Sequence, residues 1–511
     1  MPEDSFINMS QRHTIKFIAF LMLALGFVYP CIESVHIVLG DSFSNPDSNV
    51  LYRIGGMLKN PANEACLDEV TAKLTFANGH TQSYNVSSKT PYAYHNWVDP
   101  LKHDKEGDDR RLEYERIFAF IDIIEPEEPN GFTYEILYKG ERHKGPFEFK
   151  SNILKDDQPM KVITFGDHDL AKGIPTIEAV AKREYDLLLL LGDYAYDIYE
   201  ENGQKGDDYF EAMEQLLTKA PVVIATGNHE RIDSFQMLNS RFKSSSEGDE
   251  LAKRGVFFKK IRNTLVVVFN WDFTFANKDS YQETVSFLRK TLERYDNDES
   301  VKFRFFVSHR ALYCSYINQK DLNFKPECQS QIFYQKQVDD LLSKHGVDLI
   351  ISGHLHYYER LAPMINYQLV REGPVQLIVG SGGTAHFFKK MPIPKVEYQK
   401  ALRQVILGFV ELSITPNSVT SRFIAAKSGK QLDTYVLNKA VSRRITTSGL
   451  AGSVVLFILL GLIALIAVKI CRYRHVDREF LNNAEFKKAI DNYRLASNGK
   501  DKDALGIITE S

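Results

Sequence analysis

The chain has 511 residues, 44% of them hydrophobic and 25% charged, with a formal net charge of −3. That length supports a large core split over roughly two to four domains, and a charge so near balance gives no electrostatic case for a nucleic-acid partner. Its 18 Pro and 30 Gly form no low-complexity block, so most of the chain is expected to fold.

In chain order, Arg12, His13 and Lys16 precede the apolar run Phe17 to Val28. A charged n-region and a short h-region read as a secretory signal, with a signal anchor as the alternative. Cleavage is expected between Pro30 and His36, which assigns residues 1–35 to the leader and leaves Cys66 without a partner. Residues 36–155 are β-rich. Leu74 to Phe76, Ile117 to Ile121, Phe132 to Tyr138 and Phe147 to Phe149 are short alternating or aromatic runs with turn residues between them. They predict an N-terminal all-β sandwich of the fibronectin type III kind, used for packing or recognition. Asn85-Val-Ser87 in this region is a glycosylation sequon, and Lys155 to Pro159 reads as a linker.

From Met160 the pattern changes to strands alternating with helices, which argues for an α/β domain over residues 160–426. Lys161 to Phe165, Leu187 to Leu191, Val222 to Ala225, Leu265 to Phe269, Phe303 to Val307, Val347 to Ile351 and Pro374 to Val379 are apolar runs bounded by turn signals. Such runs suit strands buried on both faces. Helices are expected over Ile174 to Tyr185, Tyr209 to Leu217, Tyr281 to Tyr295 and Ile332 to His345. Residues 427–447 read as a polar stalk. Ala451 to Val468 carries no charge, and with its flanks (449–470) it is long enough to span a bilayer. Lys469, Arg472 and Arg474 then place residues 471–511 in the cytosol. The expected topology is single-pass type I, in a lysosome-like compartment or at the cell surface. Cys314 and Cys328 flank one loop, which an oxidising lumen allows to close as a disulfide.

The chemistry gathers at the strand ends. Asp167, Asp193, Tyr196, Asn228, His229, His309, His354 and His356 each follow an apolar run. In an open α/β sheet that edge is where ligands bind. Singly, each has an ordinary structural reading. Together, carboxylate, imidazole and amide-oxygen donors suit Fe, Zn or Mn and no thiolate site, and they exceed what one tetrahedral metal needs.

In order along the chain stand Gly166-Asp167, Gly192-Asp-Tyr-Ala-Tyr196, Gly227-Asn-His-Glu230, Val307-Ser-His309 with Arg310, and Gly353-His-Leu-His356. This set resembles the calcineurin-like metallophosphoesterases. The Tyr three residues after the second Asp makes it similar to the purple acid phosphatases among them. The resemblance covers roughly Met160 to Ile424. It implies a four-layer α-β-β-α metallophosphoesterase sandwich and an acid phosphatase that hydrolyses phosphate monoesters. Such an enzyme works with a dinuclear metal centre whose bound hydroxide attacks phosphorus in line. It further implies Fe(III) on Asp167, Asp193, Tyr196 and His356. Fe(II), Zn or Mn would sit on Asp193, Asn228, His309 and His354, with Asp193 bridging and His229 near substrate oxygens. The sequence departs from the family's first motif, which usually has Gly where Asp169 stands. Asp tolerates left-handed backbone better than most residues, so the turn is expected to survive with Asp169 in it. The His residues that the family places after its fourth motif are not plainly matched; Tyr313, Tyr316 and Asn318 occupy that loop. The alternatives are a metallophosphodiesterase or nucleotide hydrolase of the same superfamily, and a non-catalytic membrane receptor on this fold.

Overall fold

A computed structural model describes residues 31–97, 112–231, 234–243, 249–315, 328, 332–384, 397–404 and 406–439. The first third of the chain supplies strands β1 (Glu33–Leu39), β2 (Val50–Leu58), β3 (Val70–Thr75), β4 (Thr81–Asn85), β5 (Ser88–Trp97), β6 (Leu112–Ile124), β7 (Gly131–Tyr138) and β8 (Glu141–Lys150). There follow β9 (Met160–Phe165), β10 (Leu187–Leu190), β11 (Val222–Ile224), β12 (Phe257–Ile261), β13 (Thr264–Phe269), β14 (Phe303–Ser308), β15 (Leu349–Ser352) and β16 (Tyr357–Leu361). The series ends with the short hairpin β17 (Met364–Ile365) and β18 (Gln368–Leu369), then β19 (Val375–Val379), β20 (Gln399–Gln404), β21 (Gly408–Ile414), β22 (Ser418–Ala425) and β23 (Gln431–Asn438).

Among the described residues, ten strands form one sheet in the order β23-β22-β21-β9-β10-β11-β1-β2-β6-β5. Seven form a second, in the order β12-β13-β14-β15-β19-β16-β20. Period-two alternation decides what each strand of the second sheet packs against. Val266, Val268, Phe305, Val307, Leu349 and Ile351 share one core cluster with Phe165, Leu188 and Leu190 of the first sheet. Their neighbours Leu265, Val267, Phe306 and Ile350 pack outward on Val285, Leu288 and Leu292 of the helix Lys278–Arg294 and on Val338, Leu341 and Leu342 of the helix Ile332–Lys344. The helices Ile174–Ala181 and Gln204–Leu217 bring Ile177, Val180, Tyr209, Met213 and Leu216 to the first cluster. The layering is therefore helix, sheet, sheet, helix. Burial on both faces is why β10 is four leucines without a polar break.

Three features differ from the sequence reading. The β-rich first third is not a unit set apart from the α/β region. β1 runs parallel to β11, with Val38 opposite Val222, and antiparallel to β2. One leaf of the sandwich, β1-β2-β6-β5, is thus the continuation of the larger sheet, while β4-β3-β7-β8 forms the other leaf. Second, residues 31–35 belong to the folded body and not to a leader. Cys31 is bridged to Cys66, and Val35 is fully buried in β1. Cys66 is therefore paired, beside the second bridge Cys314–Cys328. Third, part of the stretch read as a stalk is β23, the edge strand on β22. The apolar runs at residues 17–28 and 451–468, and the tail beyond, lie outside the described residues. Among those described, no helix is long and apolar enough to cross a membrane.

Candidate metal centre

β9, β10 and β11 are mutually parallel, as are β13, β14, β15 and β19. The residues following their carboxyl ends therefore emerge along one edge of each sheet. Asp167 follows β9, Asp193 and Tyr196 follow β10, Asn228 and His229 follow β11, His309 follows β14, and His354 and His356 follow β15. The turns that present them are strained. Asp167 (φ 58°), Asp193 (φ 56°), Tyr196 (φ 50°) and His354 (φ 67°) all occupy the left-handed region. For such residues that costs on the order of 1–3 kcal/mol each and persists only when the surroundings overdetermine it.

The surroundings do so through backbone donors. Asp167 N–H donates to the Gly192 carbonyl at 3.1 Å and His168 N–H to that of Asp193 at 3.1 Å. The buried Glu230 carboxylate accepts the N–H groups of Asp193 (3.0 Å), Tyr194 (2.8 Å) and Gly227 (2.8 Å). It thereby ties the turn after β10 to the turn after β11. Gly353 permits a close approach; a Cβ there would lie 2.5 Å from Asp167 Oδ2.

The side chains converge in two groups. Tyr196 Oη lies 2.7 Å from His356 Nε2 and 3.3 Å from Asp167 Oδ1, and His356 Nε2 lies 3.4 Å from that same carboxylate oxygen. In the other group, His309 Nε2 lies 3.2 Å from Asp193 Oδ2 and 3.2 Å from Asn228 Oδ1. Ligand atoms of Asp193, His309 and His354 all fall within 4.8 Å of one another. His309 Nδ1 donates to the Leu191 carbonyl at 2.7 Å. A carbonyl only accepts, so Nδ1 carries the proton and Nε2 is the nitrogen turned to the oxygens. The residues singled out by spacing are thus gathered at one place, with Asp167, Asp193, Tyr196 and His309 buried and the other four half-buried.

Burial and neighbouring charges oppose each other at these groups. Burial would raise the Asp193 carboxyl, but the His309 charge and hydrogen bond hold it well below the usual carboxylate range. Burial would lower His309; Asp193 outweighs it and lifts the imidazole to about 10. Burial and then the Arg310 charge push His354 well below its ordinary value. For Glu230, burial and the charge of Asp193 raise the carboxyl to about 8.

His229 stands beside these groups, 31% exposed, with Nδ1 2.8 Å from Asp197 Oδ1 and Nε2 3.9 Å from Asp193 Oδ2. Its ring packs on Tyr196 at 4.8 Å between centroids. Burial would lower its pKa, but the Asp197 hydrogen bond and the Asp193 and Asp197 charges raise it to about 9.

Asp169 does not take the left-handed conformation expected of it; the turn places Asp167 there instead. Asp169 is buried and accepts the Lys172 N–H at 2.8 Å, closing a local turn. Tyr313 is buried in the outer cluster with the helices. Spacing did not assign Glu230, Asp197 or Arg310 a role, although the first and last sit inside quoted motifs. Each works through a partner distant in sequence: Glu230 through backbone N–H groups, Asp197 through His229, Arg310 through His354 and Asp272.

Residues 157–358 match the calcineurin-like phosphoesterase family. The chain is 26% identical over 260 residues to acid phosphatase type 7 of Danio rerio, covering 46% of this chain and 57% of that protein. It is 27% identical over 246 residues to acid phosphatase type 7 of Homo sapiens, covering 44% and 54%. To purple acid phosphatase 21 of Arabidopsis thaliana it is 24% identical over 339 residues, covering 63% and 72%. The chain spans about half the length of the two type 7 proteins. Among solved structures, purple acid phosphatase PPD1 from yellow lupin (Lupinus luteus) seeds superposes with a TM-score of 0.61 at 16% identity, over 80% of this chain and 74% of that one. PhoD superposes at 0.52 and 10% identity, over 81% and 91%. The described architecture is a metallophosphoesterase fold.

Proposed function

We propose that this chain hydrolyses phosphate monoesters in an acidic, oxidising lumen, using two metal ions held at the strand ends. One observation carries the reading. Phenol, carboxylate, imidazole and amide-oxygen donors from five separate loops meet in two adjoining groups. The donor set fits the ions. Asp167, Tyr196 and His356 offer a carboxylate oxygen, a phenol oxygen that a trivalent ion would ionise, and one nitrogen, suited to Fe(III). Asn228, His309 and His354 offer neutral donors, suited to Fe(II), Zn or Mn. Asp193, which stands with His309 and His354, would be the carboxylate available to both ions. Ions bound there would supply charge neutralisation of a phosphate ester and activation of water for attack on it.

The chain's own residues do the rest. Glu230 keeps the turns bearing Asp193 and Asn228 in register. His229, held protonated by Asp197 and partly exposed beside the donors, is placed to donate a proton to a phosphoryl or leaving oxygen. Leu191 fixes the His309 tautomer. Two disulfides and the exposed Asn85 sequon favour the lumenal side of a secretory membrane. The apolar run 451–468 would supply a single span, which resistance to alkaline extraction checks.

The test is the metal-replete wild type beside Asp193→Ala. The variant is expected to lose monoester turnover and most of its metal together. A visible phenolate-to-iron band and a preference for monoesters over diesters mark the purple branch. Wild-type turnover by Asp193→Ala would end the proposal.

A further inference from the structure

Arg310 follows the candidate ligand His309 directly. Its Nη1 lies 2.8 Å from Nε2 of a second one, His354. A guanidinium has donors only, so His354 Nε2 is the acceptor. The other edge of the guanidinium is clamped: Nε lies 3.0 Å from each oxygen of Asp272, and Nη2 2.8 Å from Oδ1. Asp272 opens the helical turn Trp271–Thr274 just past β13, where Asn270 caps it by accepting the Phe273 N–H. The clamp is thus built into the same sheet edge as the ligands. The Arg310 side chain is 32% exposed and that of Asp272 only 12%. The carboxylate is rooted and the guanidinium is partly open beside His354.

The hydrogen bond to His354 and a metal on His354 exclude each other. A neutral imidazole has one ring-nitrogen lone pair. A metal on Nε2 takes the lone pair that Arg310 uses. A metal on Nδ1 moves the ring proton to Nε2, where it opposes the arginine's own N–H. In either case Nη1 must leave the imidazole while Asp272 still holds the opposite edge.

We propose that Arg310 is a two-position anion-binding residue, donating to His354 until a metal claims that imidazole and then to a phosphoryl oxygen of the substrate. A pivot about the Asp272 clamp keeps the donor at the rim of the centre, and a guanidinium edge matches two phosphate oxygens. This inference rests on the dinuclear phosphatase reading and adds to it the group that recognises the phosphate itself.

The experiment uses the full chain, metal-stripped and reloaded, as wild type, Arg310→Met and Arg310→Lys. Calorimetric titration with Zn²⁺ gives the number and affinity of bound ions, and titration of the loaded protein with inorganic phosphate gives anion affinity. Arg310→Met is expected to take the His354-dependent ion about tenfold more tightly, because no donor has to be displaced, and to bind phosphate about ten- to a hundredfold more weakly. Arg310→Lys, which keeps the charge, recovers part of the phosphate affinity. An Arg310→Met protein that loads two ions and binds phosphate like wild type overturns the anion role; unchanged zinc affinity overturns the competition for His354. Failure of the wild type to take up two ions strikes the dinuclear reading instead, so the two failures are told apart.

Discussion

Glu230 is 2% exposed and accepts three backbone N–H groups from two different turns. In Glu230→Gln one of the two oxygens becomes an amide that cannot accept, so at least one buried N–H loses its partner. The expected cost is about 1–3 kcal/mol of stability with metal affinity lower by roughly 10–100-fold, read by thermal unfolding and zinc titration. Wild-type metal affinity in that variant would reduce Glu230 to a packing role. His229→Asn keeps a polar side chain but removes the proton donor. Its kcat is expected to fall about 10²- to 10⁴-fold while metal content stays at the wild-type level. Spacing alone brought out the donors because each stands within a few residues of an apolar run's end. It was silent on Glu230 and Asp197 because a carboxylate that serves a distant backbone or an imidazole leaves no period in the chain.

Strand β12 carries Lys259, 2% exposed, whose Nζ donates to the Gly40 carbonyl at 3.1 Å. Burial pushes its pKa down from 10.5 to about 8. Between those values the unfolded chain holds a proton that the folded chain has released, so stability rises with pH across that window and sits at its lower plateau below about 8. Lys259→Met is expected to flatten the rise and to stabilise the protein by about 1–4 kcal/mol at acidic and neutral pH, followed by chemical denaturation from pH 5 to 10. At the start of β1 the Cys31–Cys66 bridge spans 35 residues. Cys31→Ser should lose about 3–4 kcal/mol and leave metal loading unchanged. The helix Ile332–Lys344 was readable from its local apolar pattern, and the leucine strand β10 from an unbroken apolar run closed by a turn signal. The pairing of Val38 with Val222 and of Cys31 with Cys66 was not, since neither strand neighbours nor bridge partners across such separations can be counted off a sequence.

Over the whole molecule, the continuous sheet predicts that the sandwich and the α/β layers unfold in one cooperative transition, with calorimetric and van't Hoff enthalpies in agreement. Two resolved transitions would show that the β1–β11 seam is not load-sharing. A leader removed in the secretory pathway must leave Cys31 in place, so N-terminal sequencing of the mature protein should begin at or before that residue. The seam also limits what can be done with this chain by cutting. A fragment trimmed to the reactive half would present Val222–Ile224 as a bare rim of unsatisfied amides inviting a stranger's strand. Whoever shortens the protein, whether a bench scientist or a recombining genome, must bring a replacement for Val35–Leu39 along with the scissors.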